Sequence, residues 1–432
     1  MALYSDRASR IDTENAFKIG PYIREIEDAG HRVIKCNLGE PDFAVPEHIR
    51  AEVKRQLDLD NTHYNDPQGI LPLRAAVARQ LSESRGLAVT PDHVVVFPGA
   101  KPPIGLCQQT YTNPGDEIIY PSPGFPIYES FIPYVQATAV PLHLDEAKGF
   151  AFTGAELEPL ISERTRIIYI NFPSNPTGGV ASMDQLEDIA EVILRKAPKD
   201  VRVYSDEVYE DILFDGAVHR SIASAHGMAD KTIVASGVSK GYCWTGGRVG
   251  WAAFPTLGEA QVFKNLNINY FSCIPAYNQE GARVAIESPL SKPIQREMAA
   301  AFQHRRDVFV AALNAIDGVS CQLPRGAFYV FPNVGGVCER IGAVDAWHGL
   351  PADVQARTSP ATLLQMYLLF GYKVATMDRK SFGRIGSQGM HYLRVSIATG
   401  LEDLEEAARR LAAAADDRSG FEAFVAEGRH LY

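Results

Sequence analysis

RIIYINFPSNPTGGVASMDQLEDIAEVILRKAPKDVRVYSDEVY, Arg166 to Tyr209, is the stretch from which the fold can be read. It opens on Arg166–Asn171, a β-branched and aromatic run that is apolar at nearly every position. A run of this kind suits a strand covered on both faces, as in a parallel sheet. A turn rich in Pro, Asn and Gly follows. Met183 to Lys196 then repeats apolar residues at helical spacing, with Ser182 in place as N-cap. Val201–Ser205 is a second strand-like run. Strand, helix and strand in this order predict parallel pairing across a helical crossover.

The same grammar extends in both directions. His93–Phe97 (HVVVF) runs into Pro98-Gly-Ala-Lys101 and two further prolines, a strand, a glycine turn and a proline-started helix. Glu117–Tyr120, Ala137–Leu144, Lys231–Ser236 and Arg248–Phe254 read as further strands. The expectation is a large α/β domain over 51–290, with a mostly parallel sheet flanked by helices. Beyond it the character changes. Pro293–Ile316 reads as one long helix, Ala327–Val334 and Met390–Ala398 as strands, and Leu401–Asp416 as a polar-faced helix. Residues 291–432 are therefore expected to form a smaller α/β domain, with the N-terminal segment, 1–50, packed against it.

Composition narrows the function classes. The 432 residues are 46% apolar and 22% charged, and can bury a large core without staples. The net charge of −10 argues against nucleic acid or an anionic membrane as partner. Six cysteines are scattered without a CxxC pair, the pattern of reduced thiols in a cytoplasmic protein and not of a disulfide or zinc framework. The first ten residues are polar and mixed in charge, unlike a secretory leader, and no apolar run is long enough to span a membrane.

In open α/β sheets ligands bind beyond the carboxyl ends of the strands. Four such ends carry unusual chemistry here: Gly99-Ala100-Lys101, Asn171 to Gly178, Asp206 to Tyr209, and Ser239-Lys240 with Arg248. Each alone is a common turn, a helix cap or a surface lysine. Together they supply what pyridoxal 5'-phosphate requires. These are an amine for a Schiff base, a carboxylate for the pyridine nitrogen, and a glycine turn with hydroxyls and an arginine for the phosphate.

The sequence resembles the class I/II aminotransferases, the fold type I pyridoxal-phosphate family. The resemblance runs through Asn37-Leu-Gly-Glu-Pro-Asp-Phe43, Tyr64-Asn-Asp-Pro-Gln-Gly69, Pro98-Gly-Ala-Lys101, Asn113-Pro-Gly-Asp-Glu117, Asn171-x-Pro-x-Asn-Pro-Thr-Gly178 and Ser205-Asp-Glu-Val-Tyr209. It continues through Ser239-Lys240, Gly246-x-Arg248-x-Gly250, Pro324-x-Gly-Ala-Phe-Tyr329 and Leu393-Arg394. It implies that Lys240 carries the cofactor and moves the proton, and that Asp206 pairs with the pyridine nitrogen. Asn175 and Tyr209 would bond the ring's phenolic oxygen. Gly99, Ala100 and Lys101 would cradle the phosphate with Arg248, and Phe125 would stack on the ring. Arg394 would clamp the substrate α-carboxylate, with Gly39 against the substrate. Tyr64 would reach the phosphate bound by a neighbouring subunit, which implies a homodimer with shared active sites.

Some features depart from the family pattern. Gly237 stands where many relatives carry a phosphate-binding serine, so Ser236 or Ser239 would have to substitute. Cys243-Trp244 is bulky, Asp378 to Gly383 replaces a Pro-Gly loop, and the segment from about Arg340 to Pro360 looks inserted. The resemblance implies transamination from an amino acid to a 2-oxo acid, with a β-lyase or an aminocyclopropane-carboxylate synthase-like enzyme as the alternative. A dicarboxylate donor would need a second basic group, and Arg7, Arg10, Lys18 and Lys264 are the nearby candidates. All four read as ordinary surface charge, so neutral or aromatic donors are expected over aspartate, with 2-oxoglutarate or pyruvate as acceptor.

Overall fold

Seven strands line up in one sheet in the order Val94–Phe97, Gly250–Ala253, Thr232–Gly237, Arg202–Asp206, Thr165–Asn171, Glu117–Ser122 and Thr138–His143. Gly250–Ala253 alone runs against the rest. The other pairings are parallel, as the near-continuous apolar runs predict. This is the structure of residues 3–12 and 14–429, taken from a computed structural model. Among these residues no helix is long and apolar enough to cross a membrane.

Alternation along the strands explains why both faces are covered. Ile168, Ile170 and Val203 turn to one face, where Leu186, Ile189 and Ile193 of the helix Met183–Lys196 meet them. Ile167, Tyr169 and Tyr204 turn to the other, against Ile104 and Cys107 of the helix Pro102–Tyr111. The first helix begins where Ser182 and Gln185 form a reciprocal cap, worth about 1 kcal/mol. Each of its fully buried aliphatic side chains contributes roughly 1.5–3 kcal/mol more.

A second, smaller α/β assembly follows. Helices Ser291–Asn314, Pro360–Tyr372 and Leu401–Asp416 enclose a short antiparallel sheet of Met377–Asp378, Leu393–Ser396 and Tyr329–Val330. Phe302, Phe309, Leu364, Val395 and Leu411 lie in its core. Near the N-terminus, Ile34–Lys35 pairs in parallel with Val374–Ala375.

Two strand expectations were too long. Ala327–Val334 and Met390–Ala398 shrink to Tyr329–Val330 and Leu393–Ser396. Their flanks make only isolated bridges, such as Asn333 with Tyr392, and do not continue as regular strand. The inserted-looking segment follows the helix Gly335–Arg340 and forms two short helices, Ala343–His348 and Ala352–Arg357. Trp244 finds room because glycine stands at 247 and 281. A Cβ at those positions would lie 2.3 Å and 2.9 Å from its ring.

Candidate active site

The carboxyl ends of the parallel strands open into a cavity of about 410 Å³. Gly39, Ala100, Lys101, Phe125, Asn175 and Asp206 line it, and so do Tyr209, Ser239, Lys240, Arg248 and Arg394. Of the remaining expected residues, Gly99 supports the wall, while Ser236 and Tyr64 lie outside it.

Asp206 and Glu207 show how the strand sorts its charges. They are consecutive at the end of Arg202–Asp206, so their side chains leave on opposite faces. Asp206 faces the cavity. Its Oδ2 accepts a 2.7 Å hydrogen bond from the buried Tyr128 hydroxyl, and its Oδ1 is buried without a hydrogen bond. Burial pushes the carboxyl up to about 6, opposed mainly by the Tyr128 bond. Asn171, its register neighbour on the adjacent strand, holds the Asp206 backbone carbonyl at 3.0 Å.

Glu207 faces away into a separate network. Arg85 reaches it at 2.7 Å and also bonds Glu210, while His219 lies 2.8 Å from the same Glu207 oxygen. Glu207, Glu210 and His219 converge closely enough to suit a cation, but the Arg85 guanidinium already occupies that position. Ser236 belongs to this network, because its hydroxyl donates to Glu210 at 2.8 Å. That corrects its expected place among the cofactor-binding residues: of the two candidate serines, Ser239 is the one on the cavity wall.

Lys240 follows the strand Thr232–Gly237. Its ammonium donates to the Gly39 carbonyl and lies 5.9 Å and 5.8 Å from the ring centroids of Tyr209 and Phe328. Burial, with Arg394 as the next cause, pulls the amine down to about 8. Gly39 is required by closeness, since a Cβ there would lie 1.9 Å from the Tyr329 hydroxyl. That hydroxyl shares a 2.7 Å hydrogen bond with Tyr209. Gly237 is explained in the same way, because a side chain would meet Gly250 Cα and Val249 O at 2.9 Å.

Arg248 adopts the left-handed backbone at φ 51°, which brings its guanidinium under the turn at Gly99. It donates to Pro98 O at 3.1 Å and Thr245 O at 2.8 Å. Gly99 has φ 92°, and a Cβ there would collide with the guanidinium at 2.2 Å. Lys101 turns its ammonium to Glu14 and not toward this turn. Arg394 is buried between Tyr329 and Phe382, 4.6 Å and 4.7 Å from their ring centroids. It donates to Asn175 Oδ1 at 3.1 Å and to Asn37 O, which leaves its buried Nε without a partner.

Tyr64 is 90% exposed. Its turn is fixed to the helix Leu257–Phe271 by Lys264–Asp66 at 3.0 Å and by Asn267, which donates to Pro67 O at 3.0 Å. Lys264 is thus engaged, and Lys18 is engaged with Asp12 at 3.0 Å. Sequence reasoning gave no role to Tyr128, Tyr329 or Glu14. Tyr128 stands three residues after Phe125, one helical turn on, which was the only signal available.

Comparison with known proteins identifies the family. The family model for aminotransferase class I and II matches residues 31–411. An aspartate/prephenate aminotransferase of Cereibacter sphaeroides is 34% identical over 420 residues, covering 96% of this chain and 98% of that protein. An aspartate aminotransferase of Rhizobium meliloti is 32% identical over 418 residues, with coverage of 95% and 96%. A solved aspartate aminotransferase structure from Rhizobium meliloti superimposes with a TM-score of 0.85 at 31% identity, over 96% of this chain and 99% of that one. With the match spanning almost its whole length, the chain belongs to the class I and II aminotransferases.

Proposed function

We propose that the cavity holds pyridoxal 5'-phosphate on Lys240 and that the enzyme moves the α-amino group of an amino acid to a 2-oxo acid in two half-reactions. The observation that carries this reading is the pairing of a half-buried amine with a buried, half-satisfied carboxylate in one cavity. Lys240 is drawn down to about 8, and Asp206 Oδ1 has no hydrogen bond. An oxygen left bare in this way fits a protonated ring nitrogen, whose charge would favour the ionised carboxylate. When bound, the cofactor supplies an aldehyde for the lysine amine and a ring that withdraws electrons.

The chain's own groups divide the remaining work. Ala100, Ser239 and Arg248 would hold the phosphate, and Phe125 would lie against the ring face. Tyr209 and Asn175 would bond the ring's oxygen. Lys240, close to half neutral near its lowered pKa, can take and return a proton. Arg394 has its buried Nε to offer an α-carboxylate, while Asn175 fixes the plane of the guanidinium.

The exposed Tyr64 ring, with Leu71, Ile268 and Tyr270 also exposed, supports a homodimer in which Tyr64 serves the neighbouring site. The test of the function is chemical. Borohydride reduction should fix the cofactor's mass on Lys240, and Lys240→Ala should abolish turnover and that adduct together. A stoichiometric amino-transfer half-reaction with an amino acid separates transamination from β-elimination. Normal turnover in Lys240→Ala would refute the reading.

A further inference from the structure

Four cations line the cavity: Lys101, Lys240, Arg248 and Arg394. The proposed chemistry uses the last three. Lys101 remains, half-exposed and placed over two aromatic rings, with its ammonium 5.7 Å from the Phe17 centroid and 5.6 Å from that of Phe125. A lone cation there would suit a carboxylate at the end of a substrate side chain. It is not alone, because it is ion-paired with Glu14, whose side chain is only 14% exposed. The segment that brings Glu14 in is tied down on both sides. Asn15 donates to Ser381 Oγ at 3.0 Å, and Asp12 bonds Lys18 and Arg384. Glu40, the other carboxylate near this end, accepts from Thr245.

We propose that Glu14 is a specificity-determining residue: by keeping Lys101 in an ion pair, it reserves the side-chain end of the cavity for uncharged, apolar or aromatic substrates and turns dicarboxylates away. The assignment rests on the reading of the cavity as an aminotransferase site. An incoming side-chain carboxylate must break the Glu14–Lys101 pair or sit beside a second anion, and neither is favourable. An aromatic side chain meets Phe17, Leu38, Ile104 and Phe125 instead, and leaves the pair intact. The same rule applies to acceptors, so pyruvate is favoured over 2-oxoglutarate.

Single-turnover rates of the holoenzyme with aspartate and with phenylalanine, each without acceptor, test the proposal. Wild type should favour phenylalanine. Glu14→Gln should raise the aspartate-to-phenylalanine ratio by about tenfold, equivalent to about 1.4 kcal/mol. Adding Lys101→Met should remove that gain. Calorimetry with maleate and 3-phenylpropionate gives a second readout, in which Glu14→Gln should tighten maleate selectively. A wild type that prefers aspartate, a ratio unmoved by Glu14→Gln, or a gain that persists without Lys101 would overturn the assignment. Absence of amino transfer from every donor would instead refute the functional reading, and the calorimetric comparison would still decide the role of Glu14.

Discussion

Replacing Tyr128 by phenylalanine removes a single oxygen, the donor of the hydrogen bond to the cavity carboxylate Asp206. The ring itself should stay, stacked on Tyr169 at 4.6 Å and edge-on to Phe125 at 5.8 Å. What goes is the 2.7 Å bond to Asp206 Oδ2. A hydrogen bond to a buried carboxylate contributes about 1.5–3 kcal/mol. Most of that favours the ionised form, so its loss raises the pKa by about one to two units. Without cofactor Asp206 sits at about 6 because it is buried, and the variant should therefore titrate near about 7–8. The sign follows from linkage. A carboxyl raised above its unfolded value gives stability that is present at low pH and lost as pH rises through the folded pKa. The wild-type apoprotein should finish losing it near pH 6, whereas Tyr128→Phe should go on losing it to about pH 8. Denaturant unfolding of both apoproteins from pH 5 to 9 reads this directly. The stability gap should widen by about 1.5–3 kcal/mol between pH 6 and 8. A constant gap across that range would refute the coupling between Tyr128 and Asp206.

Two further outcomes follow from the surroundings of the site. Arg85→Ala strands the buried carboxylate of Glu207 and the half-buried one of Glu210, and should cost about 3–5 kcal/mol in unfolding free energy; a loss below about 1 kcal/mol would mean that water or His219 compensates. Mixing Arg394→Ala with Tyr64→Phe subunits should restore part of the activity in hybrid dimers, because one site then holds both native residues; an active monomer by size-exclusion chromatography would remove the shared-site reading.

The parts of the fold legible in the sequence are those where local rules and burial agree. Met183–Lys196 carries its cap and its apolar stripe together, and Leu401–Asp416 has the expected bounds. The residues at the strand ends were legible because sheet geometry gathers them at one edge, whatever lies between them in sequence. Side-chain direction was not. Ser236 and Ser239 are equivalent as letters, yet one bonds Glu210 and the other faces the cavity. The Glu14–Lys101 pair joins residues far apart in the chain and leaves no periodic trace. Gly237 looked like a missing serine, but backbone closeness to Gly250 excludes any side chain there.

The cavity wall begins at Glu14 and is completed by Arg394. Nearly the whole polypeptide must be threaded into place before its last side chain arrives. Contacts of such long sequence separation form late, since their loop-closure entropy must first be overcome. A nascent chain still short of its C-terminal strand therefore has the lysine but no assembled pocket around it. A ligand that needs the finished pocket binds only the native state and stabilises it by mass action. Such a ligand would mark maturity, separating completed subunits from those still folding.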